Sequence, residues 1–329
     1  MLLVVMVHIE GFGIFIEEFH ISVLRRLCEA IMLPLFFFIS GLVAKEMFFK
    51  DLIKSVLRLV IPALILGLIH SLYIQKDIIS FFCNIYKYGY WFTITLAEML
   101  VLFYSVTKVS KNKVGIVRNL ILYSCLLYVL KVPFNSYPIL DKVGDMFCLH
   151  QLLLYFHFFA IGYIFKQFRD YFSKILNSEL VFITSIFVFI TALYVKCIFS
   201  DDQLAISIPL KIYRALQDPI LGYTGIIILV RYFVSIEKFL SSSFLGKMLC
   251  NIGKHTLEIY LLHYFFIPQL PVIGVFLVSY PNLILELIIS LIIATIVIFI
   301  CIITSWCIRS NSVMGLILVG CKPKCRSLK

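Results

Sequence analysis

The first residues that could do chemistry are His8 and Glu10, set inside the apolar run Met1 to Phe15. Lipid tolerates ionisable side chains only where they face a protein interior or a wet cavity, so an intramembrane histidine is a functional candidate by default. A neutral imidazole can take a proton from a hydroxyl near neutral pH. The bland alternative is a hydrogen bond to a neighbouring helix. Glu10 lies two positions on, about 200° round a helix, and so is poorly placed to orient His8. Glu98 sits seven residues after Trp91, two turns along nearly the same face, and needs a partner on another helix or must be neutral. Glu258 and His263 lie in the run Gly253-Lys-His-Thr-Leu-Glu-Ile-Tyr-Leu-Leu-His263, with Glu258 three after His255 and His263 three after Tyr260. Both are helix-neighbour spacings. His150 and His157 are seven apart, for which packing or hydrogen bonding is the expectation.

Lys50, Lys54 and Arg58 recur every fourth residue and form one stripe on a helix. Such a stripe suits the phosphates of a nucleotide-like ligand, with the arginine giving bidentate contacts. Ordinary basic flanking of a membrane span explains it as well. Ser40 and Gly41 follow Pro34, which lacks an N–H and bends or breaks a helix. Broken helices at membrane depth border cavities, whereas small residues also permit tight packing. Trp91 is read either as cavity lining or as part of an interfacial aromatic belt. The ten cysteines are scattered without paired metal-ligand spacing, and no metal site is expected, Cys321 and Cys325 included. No nucleophile elbow or phosphate-cradling glycine loop occurs.

The elements that must position these residues are membrane helices. The 329 residues are 62% hydrophobic and 14% charged, with a mean hydropathy of +1.03. A soluble domain is about half apolar and a quarter charged. The first run has no basic start and no small-residue cleavage site, so it is not a signal peptide. The net charge of +11 sits in short loops, where lipid headgroups and topology account for it without nucleic acid.

The reading is an all-α polytopic bundle of about ten spans, near 1–16, 27–44, 56–74, 90–107, 114–131, 147–165, 180–199, 215–234, 256–278 and 283–306. Twenty of the 29 Lys and Arg fall in the even-numbered connections and the C-terminal end, counting Arg58, Arg118 and Arg231 at the adjoining span ends. The positive-inside rule then puts both termini in the cytoplasm. Residues 1–308 form one membrane domain and 309–329 a basic cytoplasmic tail carrying Lys322, Lys324, Arg326 and Lys329. Sixteen residues cover about 24 Å, less than a hydrocarbon core. The first helix is therefore expected to begin upstream of Met1.

Several stretches carry a resemblance that spans nearly the whole chain. They are Leu3-Val-Val-Met-Val-His8, Leu33-Pro-Leu-Phe-Phe-Phe-Ile-Ser-Gly41, Arg58-Leu-Val-Ile-Pro62, Tyr90-Trp-Phe92, Phe158-Phe-Ala-Ile-Gly-Tyr163 and Gly253 to His263. Together, and in this order, they resemble the acyltransferase family 3 membrane proteins, which O-acylate bacterial cell-surface glycans. The resemblance implies a ten-helix bundle in the inner membrane of a bacterium. It implies an acyl-CoA donor, usually acetyl-CoA, from the cytoplasm and a sugar-hydroxyl acceptor on a polysaccharide or glycolipid, with no bound cofactor.

His8 matches the family's essential first-helix histidine, as general base or acyl relay, and Glu98 joins it as a catalytic candidate. Arg58 matches the second arginine of the family's Arg-x-x-Arg pair. Ser55 stands where the first would be, beside Lys54. On this reading Lys50, Lys54 and Arg58 bind acyl-CoA, while Ser40, Trp91, Glu258 and His263 line the cavity or touch substrate. The family's basic residue about ten positions before the histidine would precede Met1, so either the chain starts upstream or it is a shortened, inactive relative. The alternative function, from another class, is a proton-coupled transporter or glycan flippase, for which intramembrane His and Glu would serve as a proton relay.

Overall fold

The computed structural model describes residues 1–15, 22–110, 112–198 and 208–320. Among them every regular element is helical. Apolar runs in lipid must satisfy each backbone N–H and C=O within themselves, and a helix does so. In order, the elements are α1 (Leu2–Ile9), α2 (Val23–Val43), α3 (Phe49–Tyr73), α4 (Ile78–Cys83), α5 (Trp91–Val109) and α6 (Lys113–Ser136). Next come α7 (Pro138–Phe147), α8 (Leu149–Gln167), α9 (Arg169–Leu176), α10 (Glu179–Ile198), α11 (Ile208–Ser235) and α12 (Glu237–Ser242). The last are α13 (Phe244–Lys254), α14 (Thr256–Leu262), α15 (Pro271–Ser279), α16 (Leu283–Arg309) and α17 (Ser312–Val319).

Seven helices among the described residues are long and apolar enough to cross a membrane, or eight if α7 and α8 count as one span bent by 65°. They correspond to the expected spans two to eight and ten. The bend falls at Cys148, which adopts a left-handed backbone with φ 57°. The other two expected spans are interrupted. α1 is eight residues long and runs into a π-helical turn over Glu10–Ile14. Gly11 and Gly13 lie in that turn, which closes with Phe15 N–H donating to Glu10 O at 2.9 Å. The ninth breaks after α14 into a 3₁₀ turn, His263–Phe265, and resumes at Pro271. Pro268 and Pro271 cannot donate to the ladder, so the break follows from them. The basic tail residues Lys322, Lys324, Arg326 and Lys329 lie outside the described residues.

The chain forms two compact units. The first is Met1–Phe36, Phe165–Thr256 and Ile267–Ile298. The second is Phe37–Ile164, Leu257–Phe266 and Phe299–Lys329. In the first unit α10 packs on α11. Ala30, Phe189, Ala192 and Leu221 form a buried apolar cluster there. The π turn after α1 docks on α15. Leu270 N–H donates to Gly13 O at 2.7 Å. A Cβ on Gly13 would stand 2.6 Å from Pro268 O, so glycine is what lets the two backbones meet.

In the second unit α3 packs on α5, α4 on α7, and α17 on α3. The α2 and α8 backbones cross at two glycines: a Cβ on Gly41 would run into Phe159 O, and one on Gly162 into Phe38 O. Phe103 of α5 packs edge-on against Phe159 and Tyr163 of α8. Large apolar side chains such as Phe187, Leu122, Ile292 and Trp306 point outward. That arrangement suits lipid, where helices gain nothing by hiding apolar surface from one another and pack through small residues instead.

Candidate functional site

His8 occupies the last turn of α1, half-buried, in the first unit. Its ring stacks on Phe12 with centroids 5.7 Å apart. The π turn begins two residues later, and such turns recur at functional sites. Glu10 is fully buried. Its Oε2 accepts from Ser22 Oγ at 3.0 Å and its Oε1 from Ser290 Oγ at 3.2 Å. The carboxylate is thus held by hydroxyls from α16 and the residue before α2. Glu286 and Arg25 act on it electrostatically.

The other eight candidates belong to the second unit. Lys50, Lys54 and Arg58 lie on the first turns of α3 with exposed side chains. Their spacing does place them on one stripe of a helix. Gly320, at the end of α17, adopts φ 68° and lies against Arg58: a Cβ there would stand 2.7 Å from Arg58 O and 2.8 Å from Arg58 Cγ.

Ser40 is half-buried beside the Gly41 crossing. Trp91 is buried. It stacks on Tyr155 of α8, centroids 5.9 Å apart, with Phe37 and Tyr86 on its other sides. Glu98 is half-buried one helical stretch below. Its Oε2 is buried and accepts no hydrogen bond among the described residues.

The cation that acts on Glu98 comes from the turn just ahead of the same helix. Lys87 is 1% exposed and sits in a 3₁₀ turn, Lys87–Gly89. Its Nζ donates to Phe82 O at 2.7 Å, to Asn84 O at 2.9 Å and to Asp145 O. All three ammonium protons are therefore used. Burial lowers its pKa from the ordinary lysine range, while Cys148, Asp145 and other nearby groups oppose that shift. Sequence reasoning passed over Lys87. The signal was a lysine next to a Tyr-Gly-Tyr-Trp turn, which reads equally well as loop charge.

Glu258 is buried and forms an ion pair with Arg309, at the end of α16. His263 is fully buried. Its Nδ1 lies 3.0 Å from Ile259 O and 2.8 Å from Tyr260 O. Both are acceptors, so Nδ1 carries the proton. Its ring packs on Tyr264 at 4.1 Å. Tyr260 Oη donates to Gly89 O and accepts from Phe92 N–H at 3.1 Å, tying α14 to the turn before α5. His150 stands 3.3 Å from Asp141 Oδ1, and His157 packs against Phe158 and Tyr128. Packing and hydrogen bonding thus account for both histidines. Among the described residues, no group of three His, Cys, Asp or Glu is arranged to hold a metal ion.

In the first unit, then, a half-buried imidazole ends an interrupted apolar helix. In the second, a basic stripe opens α3, half-buried Glu98 and buried Trp91 lie on α5, and buried Glu258 and His263 lie on α14 and in the turn after it. An imidazole can move a proton, and a basic stripe can neutralise phosphates. No curated protein matches the chain, and no solved structure does. A family model, Acyl_transf_3, described as an acyltransferase domain, matches residues 1–308. With nearly the whole chain matched and apolar helices throughout, this protein belongs to that acyltransferase family, as a multi-pass membrane acyltransferase.

Proposed function

We propose that the protein moves an acyl group, acetyl in the simplest case, from acyl-CoA to a sugar hydroxyl of a cell-surface polysaccharide or glycolipid. Both termini lie in the cytoplasm of a bacterium, and the bundle crosses its inner membrane. The observation that carries the reading is a half-buried imidazole, His8, in an apolar helix within the 308 residues matched by the acyltransferase domain.

His8 takes the proton of the attacking hydroxyl. The sugar oxygen forms a bond to the thioester carbon, the C–S bond breaks, and CoA leaves carrying that proton from the imidazolium. In the relay version the imidazole accepts the acyl group first and passes it on. Lys50, Lys54 and Arg58 neutralise the CoA phosphates, with Arg58 offering a bidentate fork. Glu98 assists the proton movement. Ser40, Trp91, Glu258 and His263 shape the cavity around the acceptor, where an aromatic face such as Trp91 suits the apolar side of a sugar ring.

The experiment is O-acetylation of surface glycan in cells carrying His8→Ala, alongside acetyl-CoA consumption by the purified protein. Losing a general base costs about 10²–10⁴-fold in rate. Full activity in the variant would sink the mechanism, and a wild-type protein that consumes no acyl-CoA would favour the transporter or flippase.

A further inference from the structure

The family match stops at residue 308, and the described chain continues through Gly320. That continuation is fixed at both ends. At its start Arg309 pairs with buried Glu258 of α14. At its finish Gly320 is buried, with its Cβ position 2.7 Å from Arg58 O, 2.8 Å from Arg58 Cγ and 3.5 Å from Leu257 Cδ2. Between them Asn311 caps α17, its side chain accepting from Val313 N–H at 3.0 Å and Met314 N–H at 3.2 Å. α17 lies along α3. Its end closes with Gly320 N–H donating to Leu316 O at 3.2 Å. The left-handed φ of 68° at Gly320 and the lack of room for a Cβ both call for glycine there.

The consequence falls on Arg58. An arginine side chain on an open helix surface explores many rotamers and loses that freedom when it grips a ligand. Here Gly320 lies directly against the carbonyl and the Cγ methylene of Arg58, while the rest of the side chain is exposed, so part of the stem's ordering is done before any ligand arrives. We infer that residues 309–320, which lie beyond the family domain, act as a strap that holds the stem of Arg58 ready for an acyl-CoA phosphate. Gly320 and Arg309 are positioning residues that act through Arg58. The inference rests on the reading that Arg58 binds acyl-CoA phosphate, and its test separates the two.

The probe is CoA itself, titrated by calorimetry into the full-length protein in detergent. The variants are Arg58→Ala, Gly320→Leu, the Gly320→Leu/Arg58→Ala double and Arg309→Gln. Gly320→Leu is expected to weaken CoA binding about 2- to 10-fold, the size of one side chain's ordering. Arg309→Gln, which frees the other end without crowding, is expected to move Kd in the same direction and keeps the test alive if Gly320→Leu does not fold. The number of binding sites per folded chain stays constant. In the double variant Gly320→Leu adds nothing, because its effect passes through a side chain already removed. Unchanged CoA binding in Arg58→Ala would overturn the phosphate reading and the strap with it. Weakening in Arg58→Ala, with wild-type affinity in both strap variants, would overturn the strap alone. A full additive loss in the double would reduce the segment to general structural support.

Discussion

Replacing Gly41 by alanine tests whether the α2–α8 crossing holds the second unit together. The added Cβ falls well inside contact distance of Phe159 O, and its next neighbours are Phe159 C at 2.8 Å and Cα at 3.1 Å. These are helix backbone atoms, not the tip of a flexible side chain, so relief requires the two helices to part. A separation of roughly 0.5–1 Å forfeits a quarter to a half of each dispersion contact along the crossing. Overpacking a tight core costs about 1–3 kcal/mol. The obstacle here is backbone on both sides, so we expect the upper end of that range.

Gly162→Ala should cost about the same, since its Cβ meets Phe38 O across the same crossing. The double variant should cost less than the sum, because the first substitution has already opened the gap that the second needs. Ile39→Ala, which trims an exposed side chain next door, should stay within about 0.5 kcal/mol. The assay is equilibrium unfolding of purified protein in mixed detergent micelles, followed by tryptophan fluorescence. Trp91 is buried in this unit. A Gly41→Ala midpoint equal to wild type, or strict additivity with Gly162→Ala, would refute the close-crossing argument.

Lys87→Met removes the ammonium shared by three carbonyl oxygens; those of Asn84 and Asp145 keep the backbone donors Lys87 N–H at 3.0 Å and Cys148 N–H at 3.4 Å, so the loss falls on Phe82 O. We expect about 1–3 kcal/mol of lost stability by the same unfolding assay. The pH dependence has a definite sign. Burial lowers the Lys87 pKa in the folded protein, so between that value and the ordinary lysine range the unfolded chain binds more protons. This group therefore makes stability rise with pH in that window. The rise should be missing from the Lys87→Met curve, and parallel curves would refute it. Tyr260→Phe removes the Oη that donates to Gly89 O and accepts from Phe92 N–H. A loss of about 1–3 kcal/mol is expected from the groups left unpaired, with hydrogen exchange at the Phe92 amide rising; an unchanged exchange rate would count against the tie.

What was readable from sequence was local. Apolar runs of about 20 residues set most of the helices, because lipid leaves the backbone no other partner. The costliness of an ionisable group in such a run singled out His8 and Glu98. Periodicity put Lys50, Lys54 and Arg58 on one stripe, and the motif order pointed to the acyltransferase family that the comparison bears out.

Partners were another matter. A buried carboxylate announces that it needs something, but not what. Glu258 found Arg309, fifty-one positions away, and Glu10 found Ser22 and Ser290. The buried Lys87 read as loop charge until Asp145 O closed over it. In the first run, only packing showed that Gly13 accepts from Leu270 and that the helix widens into a π turn on the way. Helix formation is decided by neighbours in the chain, so sequence carries it. The choice of pairing partner is decided by which backbones come together, and only the tertiary structure carries that.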